Sequence, residues 1–308
     1  MSPVPSADTS PGVGTATSGL VSPSWVAERL GSPDVVLVEV DEEAATHHWS
    51  HLPGATFIDW QDCRRALLAA RPGSTRAFER LMSTRGIRPT DEVVLYGDAD
   101  NRYASSVLWL MRHHGHPSLR LMDGGRAAWQ AQGLPMTDEE TVRPPSSYVA
   151  GRPHLTIRAS RDDVLQQLAE PVTGEMVVDC RSVLEFAGLA AGPVSEFGDL
   201  CAERGHVPGA VNIPADDLIA PAGGLLPTAD LALAFRGHRL AADQRITAYC
   251  HTSERSCLVW FALHELLGYP SVKVYDGGWL EYGHLMGAPV TGPAHLDHVS
   301  GDPPQGLS

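Results

Sequence analysis

The chain has 308 residues, too many for one ordinary domain and about right for two. Hydrophobic residues make up 43% and the formal net charge is −14, so sizeable cores can form, whereas nucleic acid and anionic membranes are unfavourable partners. The five cysteines include no CxxC pair, which argues against a disulfide framework and against a structural zinc site.

The amino-terminal residues 1–18 are rich in Ser, Thr, Pro and Gly. They lack the basic and apolar regions of a signal peptide, so the composition predicts a disordered tail. No apolar run in the chain approaches the roughly 18 residues that a membrane-spanning helix needs. We therefore expect a cytoplasmic protein whose thiols are reduced.

A first domain is expected at residues 19–137. It contains the strand-like run VLVEV at 36–40 and the turn sequence HLPGA at 51–55. Residues 138–156 combine Pro, Ser and Gly with no hydrophobic periodicity, so they are expected to form an extended linker.

A second domain is expected at residues 157–290, followed by a flexible tail at 291–308. Short apolar runs predict buried strands at 176–179, 246–249 and 272–275. Apolar residues at helical spacing predict a helix over 253–267, which Gly268 ends and Pro270 keeps from continuing. Such alternation of strands and helices predicts an α/β fold, with a mainly parallel sheet flanked by helices in each domain.

The two halves of the chain repeat one another. Residues 96–125 align without a gap with residues 249–278, at an offset of 153 (249 minus 96), and both segments end in Asp-Gly-Gly. Upstream, HLPGA at 51–55 matches HVPGA at 206–210. Two copies of one domain therefore explain the length better than two unrelated folds.

Cys250 lies where a predicted strand ends and a predicted helix begins. Ligands of open α/β sheets bind at the carboxyl ends of the strands, and N–H groups at a helix start stabilise a thiolate. We therefore expect a lowered thiol pKa, with a buried structural cysteine as the alternative. Because Cys250 aligns with Gly97, the repeat predicts one active and one inactive domain.

Arg255 follows Cys250 after four intervening residues. Cysteine phosphatases of related architecture have five residues between these positions, enough for the loop to ring a phosphoryl group. The shorter loop is expected to suit a sulfur atom bound to the thiolate, which disfavours a phosphatase.

The chain resembles the tandem-domain rhodanese family of thiosulfate sulfurtransferases over about residues 20–290. Five stretches in family order carry the resemblance: Asp179-x-Arg181-x3-Glu185-Phe186, Gly205-His-Val-Pro-Gly-Ala210, Leu225-Leu-Pro227, Cys250-His-Thr-Ser-Glu-Arg255 and Asp276-Gly-Gly-Trp279. It implies that the outer sulfur of thiosulfate moves to a thiophilic acceptor, cyanide or a thiol, through a cysteine persulfide. No cofactor and no metal are expected.

The resemblance also implies roles for single residues. Cys250 is the expected nucleophile, and backbone N–H groups of the loop after it are expected to cradle the persulfide. Arg181 is expected to bind the sulfonate end of the donor, with a salt bridge to Glu185 as the alternative. The expected substrate-binding residues are Arg181, His251, Thr252, Ser253, Glu254 and Arg255.

Three loop residues affect this expectation. His251 stands where the family often has arginine, so it adds positive charge only when protonated, which predicts stronger turnover on the acidic side. Ser253 stands where the family often has glycine, and it costs energy if the backbone needs a positive φ. Glu254 is expected to cancel part of the charge of Arg255.

Two related functions stay open. Mercaptopyruvate sulfurtransferases share the fold, although their loop is usually of the C-G-S-G-V type. A persulfide carrier would pass sulfur to a protein acceptor, and thiosulfate would then be incidental.

The other cysteines and histidines are expected to be structural. Cys257 lies about two helical turns after Cys250, and strand alternation is expected to turn Cys180 away from the site. Several histidines lack metal-ligand spacing and are expected on the surface: His47, His48, His51, His113 and His114.

Overall fold

A computed structural model describes residues 19–69, 75–190 and 203–293. The tail expected at 1–18, and residues 294–308 of the tail expected at 291–308, lie outside these ranges. Among the described residues, no helix combines the length and apolarity needed to cross a membrane.

The first half of the chain forms a five-stranded sheet in the order β1-β5-β4-β2-β3, and each pairing is parallel. Its strands are β1 (Leu20–Val21), β2 (Val35–Asp41), β3 (Thr56–Asp59), β4 (Glu92–Tyr96) and β5 (Leu119–Met122). Its helices are α1 (Pro23–Ala27), α2 (Ala44–Trp49), α3 (Trp60–Ala69), α4 (Arg76–Thr84), α5 (Arg102–His113) and α6 (Gly125–Ala131).

The second half repeats this topology with strand order β6-β10-β9-β7-β8, again parallel throughout. Its strands are β6 (Arg158–Ala159), β7 (Glu175–Asp179), β8 (Val211–Asn212), β9 (Arg245–Tyr249) and β10 (Val272–Tyr275). Its helices are α7 (Arg161–Ala169), α8 (Val183–Phe186), α9 (Thr228–Gly237), α10 (Glu254–Trp260) and α11 (Gly278–Tyr282). The two equivalent parallel sheets confirm the predicted α/β fold and the repeat.

The helix predicted over 253–267 is present with one change of winding. It begins as α10 at Glu254 and continues as a π-helical segment, Phe261–Leu266. Gly268 then adopts a φ of 71°, the left-handed conformation that commonly ends helices. The predicted strand 272–275 coincides with β10, and the other two strands extend one residue upstream of their predicted starts.

The two halves share one hydrophobic core, because α5 of the first packs against α10 of the second. Polar contacts cross the same boundary: Arg112 pairs with Glu265 at 3.1 Å, and Arg102 pairs with Asp216 at 3.0 Å. These helices follow the central strands β4 and β9, so the loop at the end of each central strand lies near the domain boundary.

Candidate active site

Cys250 directly follows β9, the central strand of the second sheet. Its side chain is 0% exposed and belongs to the core that both halves share. Residues 251–253 bend over this position and lead into α10. The thiol therefore lies at the carboxyl end of the sheet, as predicted from the sequence.

The backbone of Ser253 holds the sulfur of Cys250. Ser253 has φ 82° and ψ −17°, in the left-handed region that favours glycine. In this conformation its N–H donates to the Cys250 Sγ at 3.1 Å, and the Ser256 hydroxyl donates to the same sulfur at 3.7 Å. The positive φ anticipated from the family's glycine is therefore present with serine in that position.

Replacing Ser253 by glycine should raise the free energy of unfolding by roughly 0.5 to 1 kcal/mol. Glycine removes left-handed strain of about 1–2 kcal/mol and gives back part of it in unfolded-chain entropy. Arg239, another non-glycine residue with positive φ (64°), offers a control, since Arg239→Gly should gain similarly without changing thiol reactivity. Urea unfolding measures both variants, and a stability loss in Ser253→Gly alone would contradict the expectation.

The thiol of Cys250 is less acidic than the sequence predicted. Burial raises its pKa to about 11, and the negative charge of Glu254 adds to this. Arg255 and hydrogen bonds from Ser256 lower the pKa but do not compensate. The expected lowering was wrong because hydrogen bonds from a loop do not offset the desolvation of a fully buried thiolate.

Glu254 places a carboxylate against the sulfur. It is buried, and its Oε2 accepts from the Cys250 thiol at 3.7 Å and from the Thr252 hydroxyl at 2.7 Å. Its Oε1 lies 3.4 Å from Nε of Arg255. The loop therefore places the Glu254 carboxylate next to both the Cys250 thiol and the Arg255 guanidinium.

Arg255 forms a bidentate ion pair with Glu185. Its two terminal nitrogens donate to the two Glu185 oxygens at 2.7 Å and 3.1 Å. Burial opposes ionisation of Glu185, yet the bonds and charge of Arg255 outweigh it and hold the pKa of Glu185 below its usual range. A capping box with Ser182 at the start of α8 fixes Glu185 for this contact.

Arg181 points its guanidinium at Asp179, which is itself fully buried. Nη2 donates to Asp179 at 2.6 Å and to the Gly205 carbonyl at 2.7 Å, and the cation lies 4.4 Å from the Trp279 ring centre. The surface salt bridge to Glu185 considered from sequence is not formed, because Arg181 pairs with the buried Asp179 and Glu185 pairs with Arg255. Trp279 is a core residue, 2% exposed.

The same arrangement occurs in the first half of the chain. Tyr96 donates to Glu39 at 2.7 Å, as Tyr249 donates to Asp179 at 2.6 Å. Arg126, from α6, pairs with Glu39. Because the first half has no cysteine at the matching position, this buried cluster stabilises the domain independently of sulfur chemistry.

His251 is buried, and neither of its ring nitrogens has a hydrogen-bond partner among the described residues. Burial lowers the pKa of its imidazole below 6.5, although Glu254 and Glu185 oppose this. The ring is therefore neutral at neutral pH and becomes a cation only on the acidic side of its ordinary range.

This lowered pKa sets the expected pH dependence of His251→Gln. Thiosulfate turnover of variant and wild type should change in parallel from pH 7 upward, where the ring is neutral. As the pH falls to the acidic side of the usual histidine range, wild type should gain relative to the variant because the imidazolium forms. Steady-state rates from pH 5 to 9 provide the check, and superimposable normalised profiles would remove any role for the cation.

A cleft of about 410 Å³ opens beside the loop. Thr252 and Ser253 line it, together with Arg158 and Arg161 from the second half and Arg64 from α3 of the first half. The cleft therefore lies mainly on the second half, with Arg64 of the first half contributing to its wall, and it reaches two residues of the loop that surrounds the sulfur.

Within the described parts of the chain, no group of three or more His, Cys, Asp or Glu side chains is placed to hold a metal ion. The expectation of surface histidines was correct for His48 and wrong for three others, since His51, His113 and His114 are buried. The ring nitrogens of His51 face the carbonyl oxygens of His47 and Glu139, at 2.7 Å and 3.1 Å, and a protonated ring nitrogen donates to them. His114 stacks on Phe78 with ring centres 4.2 Å apart.

Two stretches of the chain, residues 22–132 and 160–284, match the family model of the rhodanese-like domain. The chain belongs to the rhodanese family. The two matched stretches correspond to the two parallel sheets, so this is a rhodanese with tandem domains.

Relatives of this rhodanese carry sulfur-transfer names. It is 37% identical over 271 residues to the "Putative thiosulfate sulfurtransferase" of Mycobacterium tuberculosis, covering 88% of this chain and 96% of the relative. It is 38% identical over 272 residues to the "Sulfur carrier protein TtuD" of Thermus thermophilus, covering 88% and 95%. The family is thus one of sulfurtransferases acting on small sulfur donors, with a carrier among its members.

Solved structures show the same fold at low sequence identity. The wild-type EanB structure superposes with a TM-score of 0.76 at 21% identity, covering 89% of this chain and 69% of that one. The anaerobic ergothioneine biosynthesis enzyme of Chlorobium limicola gives 0.77 at 20%, covering 89% and 70%. At this identity the similarity extends to the fold of the rhodanese domains alone.

The first rhodanese domain has no room for a thiol. A Cβ on Gly97, the position aligned with Cys250, would lie 2.3 Å from the Val40 carbonyl oxygen. The loop still resembles its partner, since Asp100, aligned with Ser253, also has a positive φ of 55°. The backbone of the loop is retained, whereas the space for a nucleophile is closed.

Cys180 lies on the same side of the rhodanese sheet as Cys250, contrary to expectation. Asp179 and Tyr249 pair in register, so the next residues on each strand, the two cysteines, are neighbours. Both belong to the shared core, and after burial the charge of Cys250 is the next cause that raises the pKa of Cys180. Alternation along one strand predicted the wrong side because the register between strands was unknown.

The sequence did not reveal the roles of two residues at the rhodanese site, Glu185 and Arg64. Glu185 was named only as a partner for Arg181, and it instead neutralises Arg255. Arg64 was not considered, because nothing in the sequence connects α3 of the first domain with the loop of the second.

Proposed function

We propose that this protein is a thiosulfate sulfurtransferase that moves sulfane sulfur through a persulfide on Cys250. The observation that supports this proposal most directly is the 3.1 Å hydrogen bond from the Ser253 N–H to the Cys250 Sγ at the end of β9. A backbone donor aimed at the sulfur favours the anionic forms of the thiol and of the persulfide. Membership of the rhodanese family supports the same chemistry.

In the first half-reaction, the Cys250 thiolate attacks the outer sulfur of thiosulfate. The bond from Sγ to this sulfur forms, the sulfur–sulfur bond of thiosulfate breaks, and sulfite leaves with the electron pair. The Cys250 persulfide anion remains. A thiophilic acceptor, cyanide or a thiolate, then takes the outer sulfur and regenerates the thiolate.

The loop residues would have different roles in this reaction, some in contact with the sulfur and others lining the cleft. Ser253 and Ser256 hold the sulfur, while Thr252 and Ser253 face the cleft through which donor and acceptor would enter. Arg181 is proposed to act indirectly. Its hydrogen bonds hold Asp179 at the end of β7, so it would position this strand end and not contact the donor. The proposed reaction uses the cysteine sulfur and needs no cofactor.

The cleft beside the loop favours a small-molecule enzyme over a protein acceptor that docks on the surface. The described cleft, at about 410 Å³, is large enough for thiosulfate, cyanide or a small thiol. We also propose a cytoplasmic location, since reducing conditions keep the attacking thiol available.

Intact mass spectrometry tests the proposal. Wild-type protein treated with thiosulfate should gain one sulfur atom, and peptide mapping should place it on the peptide that contains Cys250. Adding cyanide should return the mass to its starting value and release thiocyanate. No gain in mass, or a gain on another peptide, would refute the proposal.

A persulfide carrier is the second candidate, because a relative 38% identical is named a sulfur carrier protein. A carrier would load sulfur yet discharge poorly to cyanide and small thiols. Fast discharge to cyanide in the experiment above favours the enzyme. Loading by 3-mercaptopyruvate with release of pyruvate, and no loading by thiosulfate, would favour the mercaptopyruvate-type alternative.

A further inference from the structure

The arginines near Cys250 are each matched by a buried acid. Arg181 lies 2.6 Å from Asp179, and Arg255 lies 2.7 Å from Glu185. Each of these pairs sums to zero charge. They therefore add little net positive charge to the site that must accept an anionic donor.

Glu254 is a further buried carboxylate, and it is the one in contact with the reacting sulfur. Its Oε2 is 3.7 Å from the Cys250 Sγ and is held there by the Thr252 hydroxyl at 2.7 Å. His251, the other titratable group of the loop, is buried without a hydrogen-bond partner among the described residues. The immediate surroundings of the sulfur thus carry a net negative charge.

On the side of the loop near Tyr103, the first domain contributes the acid Glu42 together with the cation Arg102. Tyr103, from α5, donates to Glu42, and burial together with the charges of Glu42 and Glu254 raises the pKa of its hydroxyl. The side of the loop near Tyr103 therefore also carries acidic character. Of the arginines that line the cleft with Thr252 and Ser253, Arg158 pairs with Asp276 at 2.8 Å and Arg161 with Asp162 at 3.1 Å.

We propose that Glu254 selects sulfur donors by charge, favouring those with one negative charge over those with two. The preferred class consists of organic thiosulfonates, in which a carbon group replaces one charged oxygen of thiosulfate. The proposal rests on the sulfur transfer through Cys250 proposed above and names the donor class of that same site.

The reaction with such a donor is the same displacement. The Cys250 thiolate, whose proton has gone to solvent, attacks the outer sulfur of methanethiosulfonate. The bond from Sγ to that sulfur forms, the sulfur–sulfur bond breaks, and methanesulfinate leaves with the electron pair. One negative charge leaves on methanesulfinate and one stays on the persulfide, which balances the charges of thiolate and donor.

The extra charge of thiosulfate would lie several ångströms from the Glu254 carboxylate. At an effective dielectric constant of about 20, two like charges about 7 Å apart repel strongly enough to change a rate constant by roughly fiftyfold. Water in the cleft weakens this repulsion, so we expect an effect of about tenfold.

The experiment compares the ratio of kcat/KM for methanethiosulfonate to kcat/KM for thiosulfate in wild type and in Glu254→Gln. The ratio should fall about tenfold in the variant, because thiosulfate alone loses the additional repulsion. A change in the pKa of the thiol alters both rates equally and cancels in the ratio. An unchanged or increased ratio would overturn the proposal.

Glu175→Gln is the matched control. Glu175 begins β7 at the opposite end of the sheet and pairs with Arg245 at 2.7 Å, so the substitution removes one carboxylate without touching the loop. Its ratio should equal that of wild type. An equal fall in both variants would mean that overall charge, and not Glu254, sets the preference, which would also overturn the proposal.

A second measurement uses wild type alone, in case Glu254→Gln does not fold. Iodoacetamide is neutral and iodoacetate is anionic, and both alkylate a thiolate at the same kind of carbon. Cys250 should prefer iodoacetamide by at least about tenfold more than free 2-mercaptoethanol does. Equal preferences would contradict a negative site.

The experiments distinguish a failure of charge selection by Glu254 from a failure of sulfur transfer through Cys250. If neither donor leaves sulfur on Cys250, the proposed sulfur transfer fails and charge selection fails with it. If both donors load the cysteine and the ratio does not respond to Glu254→Gln, only charge selection fails.

Discussion

Cys250→Ser is expected to abolish persulfide formation and to lower thiocyanate production from thiosulfate and cyanide by at least about a thousandfold. Serine nearly preserves the side-chain volume, and its oxygen can still accept from the Ser253 N–H, so the loop should keep its conformation. Its hydroxyl stays protonated, however, and no disulfide-like bond to the outer sulfur can form. Thiocyanate assays and intact mass measure the loss.

Cys257→Ser is the control for this substitution. Cys257 is fully buried in the same core, within α10, and is not placed in the reaction. The variant should lose some stability but keep thiocyanate production within about threefold of wild type. A thousandfold loss in both variants would mean that core disruption, and not the missing nucleophile, explains the result for Cys250→Ser.

The prediction of Cys250 as nucleophile rests on a comparison that the chain carries within itself. The alignment of Cys250 with Gly97 separated the thiol from the scaffold that both domains share. The structure adds a physical reason why position 97 of the first domain has no side chain. Its backbone, at Val40, occupies the space that a side chain at 97 would need. The positive φ of Ser253 could also be predicted, since loops of this family often have glycine there.

The partners of the charged residues could not be predicted, because the choice among several acids depends on how the segments pack in three dimensions. Arg181 has both Asp179 and Glu185 close by in sequence and pairs with Asp179, whereas Arg255 pairs with the distant Glu185 in addition to its neighbour Glu254. The pKa of the Cys250 thiol depends on this pairing and on burial. The direction of its shift was therefore predicted wrongly. Local sequence gives the charges but not their pairing.

The contribution of the first domain was invisible for the same reason. Arg64 lines the cleft next to Thr252, about 190 residues away along the chain. The packing of α5 against α10 brings the two domains together, and ion pairs such as Arg102 with Asp216 also cross the boundary. The first domain can therefore shape the cleft beside Cys250 through a residue such as Arg64.

Arg181→Met is expected to lower the free energy of unfolding by about 3–5 kcal/mol. Arg181 is 2% exposed and Asp179 is 0% exposed, so removing the cation leaves a buried carboxylate without its counter-charge. Methionine fills a similar volume and keeps contact with Trp279, which limits the contribution of a cavity. Urea unfolding followed by tryptophan fluorescence measures the change.

Two further variants decide whether the buried charge causes this loss. Adding Asp179→Asn to Arg181→Met should recover a large part of the stability, because no uncompensated charge then remains. Arg158→Met removes an arginine whose side chain is 39% exposed and which pairs with Asp276 at 2.8 Å, so it should cost at most about 1 kcal/mol. Equal losses for Arg181→Met and Arg158→Met, without recovery in the double variant, would mean that Arg181 contributes through packing and not through its charge. If instead the recovery is seen, thiosulfate turnover should return with it, since Arg181 is proposed to support the strand end and not to touch the donor.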